Sequence, residues 1–231
     1  MLGPVVNAVA IIICGLIGTF IIKGIPERYD EIVKKAIGLA IFYIGIRGAL
    51  ENQRVILLIV SLVVGSIIGE FINIDKGMNS FGKFAEKKMG FEEGKFAKGF
   101  ILASLLFCTG SMAIVGSLNS GLSGNHEMLF AKSTLDGISS IIFASAMGIG
   151  VVFSAIPVFL YEGAITLGAS FVKDWLTPEI IREMSAAGSL LIAALGLNFL
   201  EIKQIKVANM IPAIFIPWIY IALESLFKQG F

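Results

Sequence analysis

The stretch VILLIVSLVVGSIIGEFINI, Val55 to Ile74, decides the fold class, because it is long and apolar and carries a single charge, Glu70, near its end. At a rise of about 1.5 Å per residue, a helix of this length spans a bilayer hydrocarbon core of roughly 30 Å. Ser61, Gly65 and Gly69 recur at four-residue intervals within it, so small side chains line one helix face and another backbone can approach closely. That face is expected to lie buried in a bundle. It can equally serve a neighbouring subunit, which makes a homo-oligomer an expectation.

Segments of the same kind lie on both sides. The first expected span is Pro4 to Ile22 and the second Val33 to Leu50. After Val55 to Ile74, a fourth span begins near Phe96 and a fifth near Leu129. A sixth ends near Val172, divided from the fifth between Gly148, Gly150 and Pro157. Met184 to Leu200 and Val207 to Phe227 complete the series. With 56% hydrophobic and 15% charged residues among 231, and a mean hydropathy of +0.88, the chain lies outside the range of soluble globular domains. The expectation is an all-α, polytopic bundle of seven or eight transmembrane helices forming one integral membrane domain over residues 1–231.

The longest polar stretch, residues 75–98, is too short to enclose a core. In it Met78, Phe81, Phe84, Ala85 and Met89 repeat at helical spacing against Lys83, Lys87 and Lys88, which predicts an amphipathic helix lying in the interface among membrane lipids. Its glycines leave a solvated loop as the alternative. Most lysines and arginines fall in the loops after the odd-numbered spans, so both termini are expected outside. The net charge of +1 offers no basic surface for nucleic acid. Cys14 and Cys108 sit in apolar spans without a CxxC or a histidine partner and read as small hydrophobes, so neither a metal nor a cofactor is expected.

Two features point toward function. The first is CTGSMAIVGSLNSGLSGN, Cys108 to Asn125, where glycines and small polar residues make poor material for an unbroken lipid-facing helix. A broken or re-entrant helix is expected at Gly110-Ser111. Freed backbone groups with Ser111, Ser117 and Asn119 could then coordinate an ion or small polar solute. A glycine-rich helix packed tightly is the alternative. The second feature is the set of ionisable residues inside the spans, where they are costly to bury. Lys132 and Asp136 are four apart and share a helix face, so they can pair, unless the fifth span begins only at Gly137 and leaves both among the headgroups. Glu162 has apolar sequence on both sides and cannot easily reach either interface. Ser139, Ser154, Asn7 and Asn198 complete the candidate binding set, with interhelical hydrogen bonds as the competing explanation.

The sequence also suggests an internal repeat. The segment from Cys14 to Leu50 runs parallel to that from Glu162 to Leu200, pairing Gly15 with Gly163, Pro26-Glu27 with Pro178-Glu179, Gly38 with Gly188 and Gly45 with Gly196. Spans one to three would then correspond to spans six to eight. The odd offset inverts the second copy, a plan recurrent in secondary transporters.

The residues Gly110 to Ser117 (GSMAIVGS), Lys132, Leu135-Asp136-Gly137, Gly148-Ile149-Gly150-Val151 and Glu162-Gly163 resemble those of the DUF554 family of uncharacterised membrane proteins, over essentially the whole chain. Where that family commonly has an acidic residue after Gly-Leu-Ser-Gly, this chain has Asn125. The resemblance implies a compact multi-pass protein of a prokaryotic cell membrane and supplies no activity.

The residues themselves favour a gradient-driven secondary transporter or channel-like protein, since the loops are short and no ATP-binding motif is present. An enzyme is not expected: the only histidine, His126, lies in HEMLF without the second histidine of HExxH, and there is no G-x-S-x-G. A non-transporting scaffold or sensor is the other reading.

Overall fold

The computed structural model describes residues 1–21, 27–89, 95–173 and 175–229. Every regular element among them is helical. Helix α1 covers Leu2–Leu16 and runs on as a π-helical turn, Ile17–Ile21. There follow α2 (Glu27–Ala49), α3 (Val55–Ile72), α4 (Ile74–Met89), α5 (Lys95–Thr109), α6 (Ser111–Leu122), α7 (Glu127–Met147), α8 (Gly150–Phe153), α9 (Ala155–Val172) and α10 (Pro178–Phe199). A 3-10 segment, Val207–Ile214, leads into α11, Ile216–Gln229.

Five of these helical stretches are long and apolar enough to cross a membrane: Leu2–Phe20, Val55–Ile72, Gly150–Val172, Pro178–Phe199 and Val207–Glu224. The pair Phe96–Thr109 and Ser111–Leu122, bent by 58°, makes a sixth if it is one broken span. The expected second and fifth spans are helices, α2 and α7, but charged and polar residues along them keep both below the same criterion. The apolar side of α3 stays exposed, with Ile56, Ile59, Val63, Ile67 and Phe71 on it. Such a face suits lipid, which has no hydrophobic penalty to impose.

The break predicted after Cys108 falls at Gly110, whose backbone is extended (φ −68°, ψ 144°) between α5 and α6. A second interruption falls at Gly148, where φ is +74°, a conformation that favours glycine because it lacks a Cβ. Pro157 does not divide the spans but lies near the start of α9, where a missing amide is tolerated. Helix α4 occupies the first part of the expected amphipathic segment. Residues 90–94, residues 22–26 with Lys23 and Pro26, and the side chains of Phe81, Lys83, Ala85, Lys88 and Met89 lie outside the described residues.

The start of α10 is set locally. The Thr177 side chain accepts a hydrogen bond from the Ile180 amide at 3.3 Å, Pro178 occupies the first turn, and Glu179 places negative charge at the positive end of the helix. Thr177→Ala is expected to cost about 1 kcal/mol of stability, measurable as a lowered unfolding temperature of the purified protein.

The helices form two compact units. One comprises Met1–Ala36 with Lys76–Phe171, the other Ile37–Asp75 with Val172–Phe231. In the first, α1 lies along α7 because small residues remove the side chains that would separate them. A Cβ on Gly3 would meet Leu129, one on Gly18 would meet the Ile141 backbone, and one on Gly137 would stand 3.1 Å from the Cys14 sulfur. In the second unit, Leu57, Ile180, Met184 and Ile221 form an apolar core. There Gly65 and Gly69 of α3 lie against Ala213 and Asn209 of the 3-10 segment, so the small-residue face is filled by the chain itself. Helices α2 and α10 touch where a Cβ on Gly45 would meet the Ala193 backbone and one on Gly196 would meet Phe42.

Candidate functional site

The period of α7 puts Lys132, Asp136 and Ser140 on one face, and all three are buried. The Lys132 ammonium forms an ion pair with Asp136 Oδ2, as the four-residue spacing predicts, and stands 3.5 Å from Glu162 Oε1 on α9. From α1, the side-chain amide of Asn7 donates to both carboxylates, to Asp136 Oδ2 at 3.0 Å and to Glu162 Oε1 at 2.8 Å. The Phe107 ring of α5 lies 5.8 Å from the ammonium, on the side where an aromatic face attracts a cation. Lys132 is 4% exposed, Asp136 7%, and Glu162 and Asn7 0%.

The cluster is dense in acceptors. Two carboxylates face one ammonium, and Glu162 Oε2 and Asn7 Oδ1 are buried without a hydrogen-bond partner. Such groups forfeit their hydration when buried unpaired, at about 1–3 kcal/mol each or more when charged. The Ser140 hydroxyl, one turn beyond Asp136, is buried and unpartnered as well. So is that of Ser117 on α6, whose carbonyl accepts from the Thr166 hydroxyl at 3.3 Å, one turn beyond Glu162. The approach of α6 to α9 is made by Gly121, where a Cβ would strike the Thr166 carbonyl.

Other candidates occupy different surroundings. Ser111, at the break, is exposed. Asn119 is half-buried, and its carbonyl accepts from the Ser123 hydroxyl at 2.8 Å. Ser139 is half-buried while its neighbour Ser140 takes the inner face. The buried Ser154 hydroxyl donates to the Val151 carbonyl at 2.7 Å, a bond within its own turn. Asn198 belongs to the second unit and holds the Ile205 backbone through both ends of its amide, at 2.8 Å each. His126 stands ahead of α7 with Nδ1 2.9 Å from the Ser120 hydroxyl.

The second unit contains polar structure that no sequence motif marks. Glu183, 1% exposed, accepts from the Asn52 side-chain amide, from the Gln53 backbone amide at 3.1 Å and from Arg182 at 3.3 Å. Arg54 bridges Glu179 at 2.7 Å and Glu224. The hydrogen bond from Arg54 to Glu224 raises the guanidinium above its ordinary value. Toward the other end of α3, the exposed Glu70 pairs with Lys206 at 2.7 Å, which raises the lysine in turn. In the sequence, only the charged neighbour Arg182 hints at a role for Glu183.

The family described as "Protein of unknown function (DUF554)" matches residues 2–222. The chain is 35% identical over 235 residues to "Uncharacterized membrane protein YdfK" of Bacillus subtilis (strain 168), covering 100% of both chains. It is 30% identical over 221 residues to "Uncharacterized protein YqgA" of Escherichia coli (strain K12), covering 93% of each. No solved structure matches significantly. With its helices long and apolar enough to cross a bilayer, and with the buried Asn7, Lys132, Asp136 and Glu162 inside a match that runs nearly end to end, this membrane protein belongs to the DUF554 family.

Proposed function

We propose that the protein is a gradient-driven secondary transporter or channel-like protein, not an enzyme, that moves an ion or small polar solute across the cell membrane of a prokaryote. One observation carries this reading: an ion cluster drawn from α1, α7 and α9 is buried with unmet acceptors, and Glu162 lies near the middle of the Gly150–Val172 span. Desolvating each ion costs several kcal/mol, and apolar side chains of similar volume would pack as well without that cost. Intramembrane ionisable groups are therefore functional candidates by default.

The inverted repeat belongs to the same reading. Gly45 and Gly196, aligned with one another by the repeat, both lie at the contact of α2 with α10. Matched positions meet in this way near a two-fold axis relating two copies, and two such copies can exchange conformations to open a site to either side.

The test is flux in reconstituted vesicles across imposed gradients of alkali-metal cations, ammonium, amino acids and organic acids. At least one solute should move, and Glu162→Gln should reduce its flux at least about tenfold, the effect of a change of about 1.4 kcal/mol in the rate-limiting barrier. Glu70→Gln is the control, because an exposed pair contributes little. An intact, folded protein that moves none of these solutes would overturn the proposal.

A further inference from the structure

We infer that the buried cluster is a binding site for one desolvated monovalent alkali-metal cation, held by Glu162 Oε2 and Asn7 Oδ1. The inference rests on the transport reading and names the class of ion it concerns. Its first ground is charge: with both carboxylates ionised, Asp136 and Glu162 carry two negative charges and Lys132 one positive, so the cluster is one positive charge short of neutrality. A net charge buried at low dielectric is costly and calls for a counter-ion or a proton.

The second ground is the chemistry of the unmet atoms. Asn7 and Glu162 are both fully buried and already in contact through Oε1. The atoms they leave over, Asn7 Oδ1 and Glu162 Oε2, are oxygens without partners. The Ser117 and Ser140 hydroxyls, one helical turn from the carboxylates or their neighbours, are left over in the same way. Hard cations are held by oxygen ligands of this kind: carboxylate, amide carbonyl and hydroxyl. A proton on Glu162 would balance the charge too. On Oε1 it would face two donors, Asn7 and Lys132, so a proton would compete with the cation at Oε2, and the dependence of stability on alkali-metal cations distinguishes the two occupants.

A divalent ion fits less well, since it would overcompensate the missing charge. Among the described residues, no group of three or more His, Cys, Asp and Glu side chains could hold a metal ion. Lys132 engages Asp136 Oδ2 and Glu162 Oε1, which leaves Oε2 to the cation.

The experiment is thermal unfolding of the purified full chain at constant ionic strength, with N-methylglucamine chloride replaced stepwise by lithium, sodium or potassium chloride. At least one of these salts should raise the unfolding temperature saturably, by about 5 °C or more at a hundred times its dissociation constant. Glu162→Gln should abolish the response, and Asn7→Ala should raise its midpoint concentration at least about tenfold, so one informative variant remains if the other fails to fold. Equal unfolding in N-methylglucamine and in all three salts would overturn the inference, as would a response unchanged in both variants. Flux without cation-dependent stability removes this site and leaves transport standing. Stabilisation lost in Glu162→Gln but without flux supports the site and removes transport.

Discussion

Lys132→Met is expected to lower the stability of the protein by about 3–5 kcal/mol, the penalty of breaking a buried ion pair and leaving its partner charged and uncompensated. Two carboxylates face the ammonium, and Asn7 is a neutral donor that cannot supply the missing charge. The loss should therefore be larger than for any exposed pair in the chain, such as Glu70 with Lys206. Adding Asp136→Asn and Glu162→Gln to Lys132→Met removes the stranded charges, and this triple variant should recover most of the lost stability. Chemical unfolding of all variants in one detergent makes the comparison, with the strong non-additivity expected of side chains in direct contact. A single Lys132→Met that costs less than about 1 kcal/mol would mean that water reaches the carboxylates, and the cluster would lose its standing as a buried site.

Much of this cluster is legible in the sequence because helical period is a local property. Lys132 and Asp136 declare themselves by their four-residue spacing, and Glu162 by its distance from any other charge in the chain's apolar flank. The same period, carried one turn further, reaches Ser140 and not the expected Ser139; the face fixed by 132 and 136 decides between them. Asn7 is one polar residue among several in the spans. Its bridging role depends on the crossing of α1 and α7, set by Gly3, Gly18 and Gly137, and no local pattern states which distant helix a glycine will admit. Glu183 is hidden for the same reason, since its partners Asn52 and Gln53 are remote in sequence and its place in the second turn of α10 suggests a membrane boundary.

At the level of elements, the break at Gly110 is readable because glycine and small polar residues accumulate there, and its direction is not, because backbone angles at an open glycine are set by packing on both sides. Hydropathy likewise marks α1, α3 and the last three spans. It fails to grade α2 and α7, and in α7 the residues that lower the apolar character are the ones that make the helix of interest: Lys132, Asp136 and the serines on its buried face.

Gly65→Leu in α3 is expected to destabilise the second unit at the upper end of the 1–3 kcal/mol that overpacking typically costs, or beyond it. A Cβ alone at Gly65 would run into the backbone and side chain of Ala213, and one at Gly69 into the Asn209 carbonyl. Backbone cannot swing aside as a flexible side-chain end can, so the 3-10 segment itself would have to move. Ile67→Ala, on the exposed side of the same helix, should change stability by no more than about 0.5 kcal/mol. Light scattering of the purified variants separates the two uses open to a small-residue face. Packing within the chain predicts a lowered unfolding temperature for Gly65→Leu at unchanged particle mass. An interface between subunits predicts a smaller particle with the stability of the single chain nearly intact. The second result would free the Ser61, Gly65 and Gly69 stripe for a neighbouring copy, and close backbone approach would no longer explain how α3 meets residues 207–214.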